Sequence, residues 1–236
     1  AEIGKNIGAD LPLVGDAKLV LQQMTELAKP MKHDEWIAHI KTLGGERKYV
    51  EPAKGTVNPR VFIDRLAKKM PANVTVVADV GQNQIWTCTE YKFRKEGRLL
   101  TSGGMGTMGY SVPAAIGAKI ADNSRATVAI CGDGAFQMSF MELATAVQFG
   151  VDIKVVVMTN NRLGMVRELQ TNGYHDRQTA VFLDGSPDFI KLAEAYGIPA
   201  MRVYDDDTME KGVEMLAEHK GICLVEVVVD KDMPTL

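Results

Sequence analysis

The chain has no apolar run near the roughly 20 residues a membrane-crossing helix requires. Its first residues, Ala-Glu-Ile-Gly-Lys-Asn, lack the shape of a secretory signal and lack an initiator Met, so a processed or excised piece is expected. Charge of one sign is not in excess: the formal net charge is -3 and the pI is near 5.9. That balance gives no reason to expect nucleic acid or an anionic membrane as partner. Cysteine is scarce: Cys88, Cys131 and Cys223 make an odd number with no metal-ligand spacing. Cys131 and Cys223 fall in apolar strands, which reads as buried reduced thiols in a reducing, cytoplasmic setting. There is no internal repeat, no low-complexity tract, no Ser/His/Asp order, no zinc spacing and no paired-carboxylate pattern. His33, His39 and His219 sit in charged helical segments, and His175 sits in a polar loop.

What is present is alternation. Apolar strands are expected at Val74–Ala78, Leu99–Thr101, Thr127–Cys131, Ile153–Met158, Met201–Val203 and Ile222–Val229, with amphipathic helices between most of them. One helix is expected over Phe136–Phe149, with Phe136, Phe140, Leu143 and Val147 forming a sheet-facing stripe. The fold class is α/β: a three-layer α/β/α sandwich with a mainly parallel sheet and right-handed crossovers. Ligands of such sheets bind at the carboxyl ends of the strands. Earlier in the chain, helices are expected at Ala17–Leu27 and Glu35–Leu43, around linker-like Lys29-Pro30 and Glu51–Gly55. We expect residues 1–30 to be the tail of an upstream domain, 31–58 a linker with a helix, and 59–236 the main domain.

Three segments carry chemistry. Gly132-Asp133-Gly134 ends one strand, and Asn160-Asn161 ends the next about 25 residues on. One carboxylate and one carboxamide thus reach the same sheet edge beside a helix N-terminus, which suits a hard divalent cation carrying a diphosphate. Asp133, the Asn160 side-chain oxygen and the Arg162 carbonyl are the candidate ligands, while Gly132 and Gly134 permit close backbone approach. Either piece alone reads as a surface turn. Apart from Lys154, no Lys or Arg lies between Gly132 and Asn161, so a metal and backbone amides must neutralise the diphosphate. The second segment, Ser102–Tyr110, holds a literal G-x-G-x-x-G at Gly104, Gly106 and Gly109, with Asp133 24 residues further on. A dinucleotide fingerprint therefore stays open. Against it stand a short preceding strand and the thioethers of Met105 and Met108, which suit a flat heteroaromatic ring wedged against the loop. The third, Asp79–Trp86, is a strand, glycine turn and helix that again faces a phosphate.

These segments resemble the thiamine-diphosphate-dependent enzymes, whose Mg²⁺-diphosphate signature is Gly-Asp-Gly followed by Asn-Asn. Val80–Trp86, Thr101–Ala115, Gly164–Arg167 and Pro187–Pro199 make the likeness closer still, to the C-terminal cofactor domain of the acetolactate synthase (acetohydroxyacid synthase) catalytic subunit. Ala1–Val20 is similar to the end of that subunit's central, FAD-associated domain. The resemblance implies thiamine diphosphate and Mg²⁺ as cofactors, with FAD only in the full-length parent. It implies a transferase that decarboxylates pyruvate and condenses the hydroxyethyl unit with a second 2-oxoacid, in branched-chain amino acid biosynthesis. It implies a homo-oligomer (dimer or tetramer) with a possible regulatory subunit. It assigns Asp133, Asn160 and the Arg162 carbonyl to the metal. Val80, Gly81, Gln82, Asn83, Gly132, Gly134, Ala135, Gly164 and Met165 would surround the cofactor; the Gly106 carbonyl and Met108 amide would bind its aminopyrimidine, with the Met108 side chain supporting the bent conformation. The family's catalytic Glu belongs to an N-terminal domain absent from this sequence, so the chain alone is expected to be inactive. Asn83 stands where the family often has His and is expected to donate to phosphate still; Leu169 replaces a Trp tied to acceptor choice. Rival readings are a pyruvate oxidase or 2-oxoacid decarboxylase of the same cofactor class, a Rossmann NAD-dependent dehydrogenase, and a non-catalytic module.

Overall fold

The structure, a computed structural model, describes residues 2–43 and 49–235. The chain divides into two compact units, Ala1–Lys48 and Tyr49–Leu236. The first contains helices α1 (Ala17–Leu27) and α2 (Asp34–Leu43). Asp16 caps α1 by accepting the Leu19 N–H at 3.1 Å, and Asp34 and Glu35 place negative charge at the start of α2. None of the described residues of this unit is buried.

The second unit is built on six strands: β1 (Thr75–Ala78), β2 (Arg98–Thr101), β3 (Thr127–Gly132), β4 (Lys154–Thr159), β5 (Ala200–Val203) and β6 (Cys223–Val228). They pair in the order β2-β1-β3-β4-β6-β5, every pair parallel. A strand covered on both faces must be apolar at every position, and β1, β3 and β4 are buried almost end to end. The two-residue alternation of strand side chains divides the core. Val76, Val128, Ile130, Val156 and Val225 face one layer, with helices α3 (Pro59–Lys69), α4 (Gln82–Glu90) and α10 (Asp206–Glu218). Val77, Ala129, Cys131, Val155 and Leu224 face the other, with α5 (Ser111–Ala121), α6 (Asp133–Gln137), α7 (Leu143–Gln148) and α9 (Phe189–Ala195). The remaining helix, α8 (Gly164–Gly173), follows β4. This is the expected three-layer α/β/α arrangement. Cys131 and Cys223 are buried free thiols, whereas Cys88 is exposed.

The long helix expected over Phe136–Phe149 is instead α6, a 3-10 turn at Phe140–Glu142, and α7. Ser139 leaves helical geometry (φ -144°, ψ 13°), and the Met138 and Ser139 N–H groups bond three residues back, to Ala135 and Phe136. The break lies where the glycine loop packs: a Cβ on Gly109 would come within 3.0 Å of Met138 Cβ. It also shifts the helical phase, so Ala146 rather than Val147 turns to the sheet beside Phe136 and Leu143.

Two glycine substitutions on opposite layers should move stability in opposite directions. A Cβ at Gly212 in α10 would lie 2.6 Å from Val203 Cγ2 and 3.2 Å from Val225 Cγ1. Gly212→Ala therefore overpacks the core and should cost about 1–3 kcal/mol. Gly117 in α5 is exposed, and a Cβ added there would meet nothing within 4 Å, so Gly117→Ala should add up to about 1 kcal/mol. Urea unfolding midpoints at constant slope test both.

Candidate functional site

The sheet order places a crevice between β1 and β3. After β1 the chain turns into α4 on one face; after β3 it turns into α6 on the other. Two neighbouring strands whose following helices leave to opposite sides open a gap at their carboxyl ends, where doubly wound sheets bind ligands. A cavity of about 100 Å³ occupies that gap, lined from β1–α4 by Val80–Asn83 and from β3–α6 by Gly132–Ala135. The loop after β4 adds Asn160, Arg162, Leu163, Gly164 and Met165, and Met108 closes it from the glycine loop. Every candidate residue except Gly106 lines this one cavity. Gly106 lies outside it with φ +64°, and Met105 is 90% exposed, so of the two loop methionines only Met108 meets the space.

Asp133 is 1% exposed. Its Oδ1 accepts the Gly134 N–H at 2.8 Å, and its Oδ2 accepts those of Asn160 at 3.2 Å and Asn161 at 2.7 Å. Burial pushes its carboxyl up to about 6, and these backbone hydrogen bonds only partly pull it back. The largest causes of the shift are burial and backbone hydrogen bonds. The Arg162 guanidinium, on the same loop as Asn160, is turned elsewhere: it donates to the Asn161 carbonyl at 2.6 Å and to Asp184 at 2.7 Å, 4.7 Å above the Phe182 ring. A buried carboxylate without a counter-charge is costly, and a bound cation removes that cost. Among the described residues no three His, Cys, Asp or Glu side chains gather around a metal position. The surrounding donor set is one carboxylate plus amide and carbonyl oxygens, which suits a hard cation that brings its own phosphate and water oxygens. The residues therefore fit a Mg²⁺-diphosphate group. Asn160 Oδ1 accepts the Arg162 N–H at 3.0 Å, and Asn160 and Arg162 line the same cavity as Asp133.

The two amides at the start of α4 line the cavity and have partners within the chain. Asn83 Nδ2 donates to the carbonyls of Asp79 at 2.8 Å and Ile130 at 3.2 Å, tying β1 to β3. Its Oδ1 instead lies 2.6 Å from where a Gly81 Cβ would be, and Gly81 adopts φ +143°, so only glycine fits there. The Gln82 side chain is likewise engaged, accepting from Asn160 Nδ2 at 3.1 Å and donating to the Met233 carbonyl at 2.9 Å. The helix end expected beside Asp133 is also short, since α6 has five residues and contributes its first amides rather than a long dipole.

Sequence reasoning missed Trp86, Met158, Leu163 and Val166, which complete the apolar lining. The signal for Trp86 was present: it lies one helical turn from Gln82 and Asn83. The signal for Leu183 was not. A Cβ on Gly134 would meet Leu163 Cδ2 at 2.8 Å and Leu183 Cδ1 at 3.1 Å. Leu183 arrives because residues 181–183 pair with 161–163: the Leu163 N–H bonds the Val181 carbonyl and the Leu183 N–H bonds the Asn161 carbonyl. The loop holding His175 is thus pinned beside the site downstream of His175, which itself is exposed at φ +54°. The glycine loop follows β2, an edge strand, and not a strand of the crevice, which removes the structural context of a dinucleotide fingerprint.

The family profile described as "Thiamine pyrophosphate enzyme, C-terminal TPP binding domain" matches residues 79–227. Acetolactate synthase large subunit of Lactococcus lactis subsp. lactis is 35% identical over 233 residues, covering 98% of this chain and 40% of that protein. A probable acetolactate synthase large subunit of Methanocaldococcus jannaschii is 36% identical, over 98% of this chain and 41% of its own length. Acetolactate synthase of Mycobacterium leprae is 39% identical, over 98% and 38% respectively. The chain spans about 40% of the length of these curated relatives.

The raised pKa of Asp133 carries a sign. An unfolded Asp releases its proton near 3.9, but the folded chain holds it until about 6. Across that window the unfolded state binds fewer protons, so the folded state loses stability as pH rises. Without metal, the wild-type melting temperature should fall relative to that of Asp133→Asn between about pH 4 and pH 6. Paired thermal melts across that range check it; parallel curves would show that the Asp133 charge carries no such cost.

Proposed function

The chain belongs to the thiamine pyrophosphate enzyme family as its C-terminal TPP-binding domain, and on that premise we propose that it holds thiamine diphosphate through Mg²⁺ for an acetolactate synthase. The observation that carries the metal assignment is Asp133: a buried carboxylate held by three amides, without a counter-charge, at the mouth of the crevice. Asp133, the Asn160 side-chain oxygen and the Arg162 carbonyl hold the cation. Backbone amides at Gly134, Ala135 and the first turn of α4 meet the diphosphate, a helix N-terminus being suited to an anion. Met108 supports the ring system, and Gly164 and Met165 form the opposite wall. The chemistry supplied when the cofactor is bound is decarboxylation of pyruvate and transfer of the remaining two-carbon unit to a second 2-oxoacid. The chain's own task is to bind, orient and keep water from the apolar side of the cavity, where Trp86, Met158 and Leu163 stand.

The names of the relatives support the acetolactate synthase reading; a transferase within branched-chain amino acid biosynthesis, a homo-oligomer, a possible regulatory subunit, FAD in the longer enzyme and a cytoplasmic setting belong to that reading as further proposals. The glutamate that activates the cofactor in this family comes from a domain outside the sequence. Leu169, 61% exposed on α8, bears on the choice of acceptor.

Calorimetric titration with thiamine diphosphate should show binding that requires Mg²⁺ and is lost in Asp133→Ala, while NAD produces no heat. Binding indifferent to both metal and substitution would sink the assignment. Incubation of this chain with pyruvate, cofactor and Mg²⁺ should yield no acetolactate; acetolactate would show that the activating group lies within the chain. Acetaldehyde or acetyl phosphate from the full-length enzyme, in place of acetolactate, would favour a decarboxylase or an oxidase.

A further inference from the structure

Beyond β6, the segment Met233-Pro234-Thr235 crosses the ends of α3, α4 and α8, and three successive carbonyls are each caught by a side chain. Gln82 Nε2 donates to the Met233 carbonyl at 2.9 Å, Trp86 Nε1 to that of Pro234 at 3.1 Å, and Arg60 Nη2 to that of Thr235 at 2.6 Å. From the other side, Glu168 on α8 accepts the Thr235 N–H at 3.0 Å and pairs with its hydroxyl. Such complete satisfaction fixes the segment as a strap joining the two helices that wall the cavity.

Gln82 links this strap to the site. It is 4% exposed, and a carboxamide has one accepting end and one donating end. The donating end is held by the Met233 carbonyl and by Thr235 Oγ1 at 3.1 Å. Oε1 is therefore left to face Asn160, whose Nδ2 donates to it at 3.1 Å. That bond and the Arg162 N–H on Oδ1 together set the Asn160 amide: Nδ2 lies on Gln82 and Oδ1 on the side of the Arg162 backbone. Reversing Gln82 would present N–H groups to Asn160 and favour the amide orientation that aims nitrogen at a cation. Gly164 preserves the contact, since any Cβ there would stand 1.8 Å from Gln82 Oε1.

We infer that the Met233–Thr235 strap is a positioning element for the metal ligand Asn160, acting through the Gln82 carboxamide. The inference rests on the proposed metal role of Asn160 and gives Gln82 an orienting role toward that ligand.

Two variants of the full chain test it. Gln82→Met keeps the volume and removes the relay; Thr235→Val keeps the strap backbone and removes the hydroxyl that holds Gln82. At fixed thiamine diphosphate, half-saturating Mg²⁺ should rise about ten-fold or more in Gln82→Met, as when a metal ligand loses its outer partner, and by a smaller factor in Thr235→Val. The Asn160 side-chain NH₂ pair, followed by ¹⁵N NMR without metal or cofactor, should shift and lose exchange protection in both. Unmoved resonances and unchanged Mg²⁺ demand in both, with only a lower melting temperature, overturn the inference and leave the strap a structural tie. Should Gln82→Met not fold, Thr235→Val and Glu168→Gln decide by the same readings. Should the wild-type chain take up no thiamine diphosphate with Mg²⁺, the functional reading fails; the NMR comparison still decides whether the strap orients Asn160.

Discussion

The Asp133 carboxylate is the constraint around which the site is arranged. Buried charge is tolerated only with partners, and here the partners are three backbone amides that fix two chain segments at once. Gly134 is held at the start of α6, and Asn160 and Asn161 are drawn in from the end of the neighbouring strand. The loop after β4 is thereby located by the acid after β3. Asn161 accepts a φ of +53° to follow, a conformation asparagine tolerates better than most residues. The same loop then recruits residues 181–183, which bring Leu183 over Gly134.

The adjacent strand repeats the device. Asp79, wholly buried at the end of β1, accepts from Val80 at 2.9 Å and Gly109 at 3.0 Å on one oxygen and from Ser111 at 2.8 Å on the other. It thus holds the loop that follows β2, and with it Met108, against the crevice. Each acid secures the loop of the strand next door: β1 governs the loop of Met108, and β3 governs the loop of Asn160. Asp133 lines the cavity, whereas Asp79 is not part of its lining. One carboxylate therefore borders the cavity and the other acts within the scaffold.

How far this was legible in the sequence depends on range. The strands were, because a sheet covered on both faces demands apolar runs such as Val155–Val157, and those runs are local. The Asp133 and Asn160 pairing was legible for a related reason: successive parallel strands deliver their ends to one edge whatever fills the space between. The break at Ser139 was not, since a stripe of Phe136, Phe140, Leu143 and Val147 satisfies helical spacing whether or not the backbone is continuous. It takes the approach of Gly109 from a distant loop to interrupt it. The partners of the Gln82 and Asn83 side chains were not legible for a deeper reason. A side-chain type states what a residue is able to donate, not which acceptor reaches it first, and for Gln82 that acceptor is a carbonyl 151 positions away.

These facts together imply that occupancy and stability are one equilibrium here. In the metal-free chain the Asp133 carboxylate is desolvated without a counter-charge, so the folded state carries a cost that a cation removes. A ligand that binds only the folded state stabilises it by an amount that grows with the logarithm of its concentration over Kd. The contribution is larger where binding also discharges an existing electrostatic penalty than where it merely adds contacts. The glycines sharpen the same trade. Gly81, Gly134 and Gly164 leave space that neighbouring side chains or a ligand occupy, and each forgoes the packing a Cβ would give. Stability is withheld at the crevice and supplied by the two core layers behind it, where strand side chains are buried on both faces. The rigid sheet allows the carboxyl edge to remain underpacked and polar, and a cation-bound diphosphate, the ligand we propose, would answer both deficits through its charge and its fit against the backbone.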